Sequence, residues 1–255
     1  MKKIKNAPQT VEKALRILDA LAEERGPLGI SELSHRLDMS SSTTYRILQV
    51  LLNRRYINQD SVTNKYHLGY KILELSSSML MQIELRNIAR DHLEKLVKET
   101  SETARLAIMD GEEIVYVDQV EGEDHIRLRL QIGSRSPVHC TAAGKCIMAF
   151  LGDNEVGAIL SKHKLKSFTP KTITNIDNLR DQLKRIKIKG YAFNDEEYRE
   201  MVRAVGSAIF DFNMKVVGSV VVVAPSFRLR LSSVPEIARQ VKRTALDISR
   251  QMGYR

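Results

Sequence analysis

Residues 40–44 are Ser40, Ser41, Ser42, Thr43 and Thr44, five hydroxyls in a row without a glycine, set directly before an apolar helical run. One or two of them suffice to cap a helix. With Thr44, Ile47, Leu48, Leu51 and Leu52 turned inward, Ser42, Tyr45, Arg46 and Gln49 fall at i, i+3, i+4 and i+7, one line on the opposite face. Ser40 or Ser41 can cap the start. Ser41, Ser42 and Thr43, with the free backbone N–H groups, then gather at the positive end of the helix dipole, where phosphate oxygens bind well. Arg46 can fork onto a guanine, and Gln49 can pair with an adenine edge. Short hydroxyl side chains permit the close approach that a helix tip makes in the major groove. The chemistry these types and spacings suit is DNA contact; the bland alternative is a solvated helix start in a protein-binding domain.

A second constellation lies in "HCTAAGKCIMAFL" (139–151). Thr141 can cap a helix beginning at Ala142, which would aim the N–H groups of Ala142, Ala143 and Gly144 outward with only small side chains around them. That arrangement suits a carboxylate; the competing reading is a tight helix-to-sheet contact. Lys145 can attract the anion or sit in a structural ion pair. Catalytic chemistry is harder to find. Cys140 follows His139 directly, but sequence neighbours need not share hydrogen-bond geometry, and Cys146 falls on an apolar helical face. The run Asp195-Glu196-Glu197 has no His or Cys at metal-ligand spacing and reads as a solvated or hydrogen-bonded loop. His67, His92, His125 and His163 are scattered, and "AAGK" lacks the earlier glycine of a phosphate loop. No catalytic residue, metal or cofactor is expected.

Bulk properties agree with an anionic partner. The formal net charge of +9 favours nucleic acid or an acidic surface. Two cysteines six positions apart form neither a CxxC pair nor a disulfide framework, which fits a reduced, cytoplasmic chain. The basic start "MKKIKNAPQT" leads into no long apolar stretch, and no window approaches the ~18 apolar residues of a membrane span, so neither a secretory signal nor a membrane partner is expected.

The elements that must position these residues can be read from periodicity. Thr10 can cap a helix with Val11, Ala14, Leu15, Leu18, Leu21 and Ala22 on one stripe; "RGPLG" (25–29) breaks it; Ser31 opens a short helix with Leu33 and Leu37 inward; "DMS" (38–40) makes a tight connection to the hydroxyl-rich helix. Two short strands, "YIN" and "KYHL", flank "QDSVTN", whose tip is Val62. Three helices and a hairpin make a winged helix-turn-helix. Asn64 and Lys65 would then lie beside the duplex backbone, while Arg54 and Arg55 either join them or simply oppose the helix dipole. The stretch 70–85 reads as a helix whose Ile72, Leu73, Leu75, Met79, Leu80 and Met81 give more apolar surface than an isolated helix leaves in water, so a second copy is expected to cover it. From 104 onward the pattern is a sheet: "ARLAIMDGEEIVYVDQVEG" is a hairpin, "HIRLRLQIG" (125–133) alternates like a strand with one wet face, and "VVGSVVVVA" (216–224), apolar on both faces, reads as a covered central strand. Helices are expected in "ELRNIARDHLEKLVKET", "TAAGKCIMAFL" and "VPEIARQVKRTALDISRQM", the last with Ile237, Val241, Ala245, Ile248 and Met252 as its stripe.

The stretch "TVEKALRILDALAEERGPLGISELSHRLDMSSSTTYRILQVLLNRRYI" resembles the DNA-binding half of the IclR family of bacterial transcription regulators. "HCTAAGKCIMAFL" resembles the family's Ala-Gly-Lys helix start, and "GYAFNDEEYREMVRAVGSAIFDF" (190–212) resembles its signature, with Asn194 standing where the family has Asp or Ser. The resemblance implies an α+β chain: a winged helix-turn-helix at 1–69, a linker helix at 70–83, and a sensor domain at 84–255 with a six-stranded antiparallel sheet related to GAF and PAS folds. It further implies a homodimer or tetramer on a palindromic double-stranded operator, mostly as a repressor, whose DNA affinity changes with a small carboxylate effector. Carried over by position, the pocket comprises Ala142, Ala143, Gly144, Asn194, Ala204, Val221 and Val223. Valine at 221 and 223, where Ser is common, suggests a pocket less polar than one for a two- or three-carbon acid, hence a larger apolar or aromatic acid or a sugar acid. Two other readings stay open: a small-molecule enzyme with an appended helical domain, and a DNA-binding protein without an effector.

Overall fold

The computed structural model describes residues 8–24, 26–81, 84–122, 130–162 and 164–255, and the chain divides into two compact units, Met1–Gln82 and Ile83–Arg255. No described helix is long and apolar enough to cross a membrane.

The first unit contains α1 (Gln9–Glu23), α2 (Ile30–Leu37), α3 (Ser41–Asn53), the hairpin β1 (Ile57–Gln59) and β2 (Tyr66–Leu68), and α4 (Tyr70–Met81). The three-helix-plus-hairpin expectation holds, with corrections at helix ends. Pro8, not Thr10, precedes α1, and its carbonyl accepts from the N–H groups of Val11 and Glu12 at 2.9 and 3.2 Å. The buried stripe of α1 is centred on Ile17, Ala20 and Leu21, while Val11, Leu15 and Ala22 are exposed. Two apolar lines 3.6-periodic in the same helix compete, and the one containing Ile17 meets α3 and the hairpin. α2 begins after Gly29, whose N–H is taken by Glu32, so Ser31 lies inside the helix. Asp38 turns the chain in the left-handed region at φ 53°. Leu33, Leu37, Ile47, Leu48, Leu51, Ile57 and Tyr66 form the core, and Leu52 is half-buried. The strands are antiparallel, and Leu28 adds a backbone pair with Tyr66 that periodicity did not indicate.

The second unit contains α5 (Glu84–Thr100), β3 (Thr103–Asp110), β4 (Glu113–Val120), β5 (Arg135–Pro137), α6 (Ala142–Met148), α7 (Asp153–Lys162), α8 (Ile176–Lys189), β6 (Ala192–Asp195), β7 (Val202–Phe210), β8 (Val216–Pro225) and α9 (Val234–Gln251). The six strands pair antiparallel in the order β5-β4-β3-β8-β7-β6, so the valine-rich β8 is central, as its two-sided apolar sequence requires. Val220 and Val222 face α5 and α9, with Leu93, Leu96, Val241 and Ile248. Val221 and Val223 face α6–α8, with Ala142, Cys146, Ile147 and Leu179. On α9, Val241, Ala245 and Ile248 are buried, and Ile237 and Met252 lie half-buried at the ends of that stripe. The strand expected at 125–133 lies mostly outside the described residues; its described tail, 130–133, is irregular and ends in a turn at Gly133, φ 88°.

Candidate nucleic-acid interface and ligand cavity

The five hydroxyls of 40–44 divide their work. Ser40 is the N-cap of α3, its Oγ accepting from the Thr43 N–H at 3.3 Å. Thr44 is fully buried; its hydroxyl donates to the Ser40 carbonyl at 3.2 Å and accepts from Ser34 Oγ at 3.1 Å, which ties α2 to α3. Ser41 and Ser42 are exposed and Thr43 is half-buried. Along the helix Tyr45 and Arg46 are exposed and Gln49 half-buried, opposite the buried Thr44, Ile47, Leu48 and Leu51. α3 therefore presents a polar line held rigidly by its own core face.

The hairpin loop is pinned by Asp60, whose Oδ1 accepts from the Val62 N–H at 3.0 Å and from the Thr63 N–H and hydroxyl at 2.7 and 2.8 Å. These bonds hold the Asp60 carboxyl below the ordinary carboxylate range. Val62 is 86% exposed at the tip. Asn64 sits in the left-handed region at φ 56°, and its neighbour Lys65 pairs with Glu32 at 3.1 Å, so a phosphate there would compete with a surface carboxylate.

The second unit holds a cavity of about 420 Å³ between the sheet and the start of α6. Ala142, Ala143, Asn194, Ala204, Val221 and Val223, scattered over 82 positions of sequence, all line it. Gly144 does not. A Cβ there would lie 2.3 Å from Val138 Cα and 2.4 Å from the Val138 carbonyl oxygen, and its N–H donates to Thr141 Oγ1 at 3.1 Å. Gly144 is thus a packing glycine with a satisfied amide, a correction to its assignment as a ligand contact. Thr141 caps α6 as its sequence suggested, leaving the N–H groups of Ala142 and Ala143 in the first turn. Gly206, opposite Val221 on β7, lets that turn descend on the sheet, since a Cβ would sit 3.0 Å from Val221 and 3.4 Å from the Ala142 backbone.

Sequence reasoning missed the polar half of the lining: Arg105 on β3, Tyr116 on β4, Ser136 on β5, and Tyr198 and Arg199 in the β6–β7 turn. Arg105 is 7% exposed; its Nε donates to Gln119 Oε1 at 2.9 Å and its guanidinium lies 5.5 Å from the Tyr116 ring centre. Burial pulls Arg105 below the ordinary arginine range and pushes the Tyr116 phenol up. Three arginines stand among the described lining residues, one of them, Arg135, paired with Asp110 and Glu113, so the cavity is more polar than the valines at 221 and 223 suggested. A lone arginine in the apolar stretch "TARLAI" was the available signal.

Behind the cavity wall Lys145 is fully buried and ion-paired to the buried Glu197, and its Nζ also donates to the Phe193 carbonyl at 3.3 Å. Of its two sequence readings, the structural pair is the one present. Burial lowers the Lys145 ammonium below the usual lysine range while Glu197 acts in the opposite sense. Asn194 bridges: its Nδ2 donates to the Cys140 carbonyl, and its Oδ1 accepts from the Glu197 N–H at 3.1 Å. Asp195 pairs with Arg203 at 2.7 Å and with Lys171 at 3.0 Å, so the acidic run is a hydrogen-bonded turn. Burial pushes both Cys140 and Cys146 to about 12, which keeps them thiols at neutral pH. His139 faces the Lys166 carbonyl at 3.0 Å. No group of three potential metal ligands occurs among the described residues.

A winged helix with an exposed polar line, followed in the same chain by a separate sheet domain with a polar-lined cavity, defines the class of transcription regulators that carry a DNA-binding and a second, sensor-type domain. Residues 10–61 match the IclR helix-turn-helix domain, and residues 77–250 match the bacterial transcriptional regulator IclR C-terminal family. The chain belongs to the IclR family of bacterial transcriptional regulators. The HTH-type transcriptional regulator XynR of Escherichia coli (strain K12) is 32% identical over 246 residues, spanning 96% of this chain and 98% of that one. The HTH-type transcriptional repressor AllR of the same strain is 30% identical, over 97% of this chain and 91% of its own. The crystal structure of the Thermotoga maritima IclR superposes with a TM-score of 0.83 at 35% identity, covering 97% of this chain and all of that one.

Proposed function

We propose that this DNA-binding regulator is a repressor that occupies a palindromic operator as a homodimer or tetramer, and that a small organic acid in the cavity of the second domain changes its DNA affinity. The observation that carries the DNA half is the line Ser42, Tyr45, Arg46 and Gln49 on the outer face of a helix whose inner face is fully packed. Ser41, Ser42 and Thr43 at the tip, with Asn64 and Lys65 on the wing, contact phosphates; Arg46 and Gln49 read base edges. Arg46→Ala is expected to lower specific operator affinity by about 1–3 kcal/mol and to relax specificity at one base position. Gel-shift titrations against specific and random duplexes measure this; an equal, small loss on both would reassign Arg46 to the backbone.

The acid reading is supported by Arg105, Arg199 and the Ala142–Ala143 turn facing one cavity. A guanidinium binds a carboxylate bidentately, and one set in an apolar wall holds it more strongly than one in water. The protein then acts by binding rather than turnover, consistent with thiols held protonated and a histidine engaged by a carbonyl. Ala143→Leu is expected to fill the cavity mouthward of α6, abolishing effector response while leaving operator binding within twofold. A response of normal size in that variant would place the effector elsewhere.

Helix α4, proposed as the linker, exposes Tyr70, Leu73, Leu75 and Met79; the side chains of Leu80 and Met81 lie outside the described residues. Pairing of α4 with the same helix of a second copy would bury this surface and set the spacing of two recognition helices to a palindrome. An effector that fits one arrangement of the paired sensors better than another shifts the population toward it.

A further inference from the structure

Arg54 and Arg55 follow the last turn of α3, and the structure separates the two roles open to them. The final carbonyls of the helix are satisfied by backbone alone: the Arg54 N–H donates to the Val50 carbonyl at 3.1 Å, the Arg55 N–H to that of Leu52 at 2.9 Å, and the Tyr56 N–H to that of Leu51 at 2.9 Å. The last two bonds form a Schellman closure, with Arg55 in its left-handed position at φ 61°, where glycine is the favoured residue. Neither guanidinium is needed as a hydrogen-bonding cap. Both residues are exposed, and neither side chain has an ion-pair or hydrogen-bond partner among the described residues.

Tertiary packing adds a third cation. Gly69, between the hairpin and α4, donates its N–H to the Tyr56 carbonyl at 2.8 Å. A Cβ there would lie 2.3 Å from the Arg55 carbonyl oxygen, so glycine lets the chain return this close to the end of α3. The return brings Lys71, in the first turn of α4, to the two arginines. Asn53, Arg54, Arg55, Tyr56, Lys71 and Glu74 line one hollow, wholly within the first unit. Glu74 is the carboxylate of that lining; it is exposed and pairs with Lys71 at 2.9 Å.

Asn53 stands eleven positions after Ser42, three helical turns, so the hollow opens at the end of the line Ser42, Tyr45, Arg46 and Gln49. Eleven residues of helix rise about 16 Å, against a major groove about 12 Å wide. A helix laid across the groove with its hydroxyl tip on one backbone therefore brings its last turn against the other. Cations set past that turn are placed for phosphates, beyond the base edges. Resting on the placement of α3 in the groove, we infer that Arg54, Arg55 and Lys71 form a second DNA-phosphate site, on the strand across the groove from the one met by Ser41, Ser42 and Thr43. Glu74 holds Lys71 until a phosphate displaces it, and the contact ties the first turn of α4 to the duplex.

Fluorescence anisotropy of the full-length protein tests this on two labelled duplexes, one selected by the protein from a random pool and one scrambled, at salt between about 0.05 and 0.3 M. Arg54→Gln, Arg55→Gly and Lys71→Gln should each weaken binding about three- to fivefold per subunit on both duplexes, and lower the slope of log affinity against log salt by about 0.9 per subunit. Arg55→Gly should do so while melting no lower than the parent, because glycine relaxes the left-handed turn. Lys184→Gln, the same loss of charge at an exposed lysine of the second unit, should leave the slope as it is. Unchanged slopes in the three first-unit variants, a slope loss of equal size in Lys184→Gln, or weakening confined to the selected duplex would overturn the phosphate site. If Arg46→Ala then keeps its expected loss on the selected duplex, the placement of α3 stands. If that loss is absent too, the placement fails and the phosphate site with it.

Discussion

Lys145→Ala is expected to cost about 3–5 kcal/mol of stability, because it strands the buried Glu197 carboxylate without its cation. Glu197 is 5% exposed, one of its oxygens has no hydrogen-bond partner among the described residues, and the other is held by Lys145. At roughly 2–4 °C per kcal/mol for a domain of this size, the melting temperature should fall by about 6–20 °C. The comparison that isolates the cause is Lys145→Met combined with Glu197→Leu. Removing both charges together removes the desolvation cost with the attraction, so the double variant should lie much closer to the parent than Lys145→Ala does. Differential scanning calorimetry of the three proteins decides it. A loss below about 1 kcal/mol for Lys145→Ala would mean that water or a rearranged turn reaches Glu197. The pair also fixes the Tyr198–Arg199 turn, through the Glu197 N–H bond to Asn194 and the Thr172 bond to the Glu197 carbonyl.

The second large effect is functional. Arg105→Met should reduce affinity for the acid effector by about 10- to 150-fold, the loss of a charge-assisted bond worth roughly 1.5–3 kcal/mol. Methionine keeps an unbranched stem in the apolar part of the site, so packing beside Tyr116 changes less than it would with alanine. Arg105 also holds Gln119 at 2.9 Å, so a melting curve should accompany the titration. Operator binding without effector should be unchanged, since β3 belongs to the second unit and the recognition helix to the first. The measurement is calorimetric affinity for an acid chosen by a thermal-shift panel, alongside gel-shift titration with and without it. An undiminished affinity would move the carboxylate from Arg105 to another lining group, with the Ala142–Ala143 turn the next candidate.

Local pattern made much of this legible. Helices α3, α5 and α9, the wing hairpin, the β3–β4 hairpin and the central position of β8 follow from apolar periodicity and turn residues within a few positions of one another. Six of the seven cavity positions inferred by resemblance line one space, and the seventh, Gly144, fails for a reason no local pattern contains: the backbone of Val138 lies against it. α1 shows a second kind of failure. Its sequence carries two apolar lines, and only contact with the rest of the unit selects the one through Ile17.

By itself the sequence determined the hydroxyl-rich recognition helix, the surplus of positive charge, the two-part organisation and the covered central strand, because each depends on residues adjacent in the chain or one helical turn apart. Only the tertiary structure decided the character of the cavity. Arg105 looks like a wet-face residue of a half-buried strand until β3 is flanked by β4 and β8 and α6 closes over that face. Lys145 looks free to meet an anion until the fold brings Glu197, 52 residues away, against it. Burial and long-range pairing set the charge a ligand meets, and neither is written in spacing along the chain.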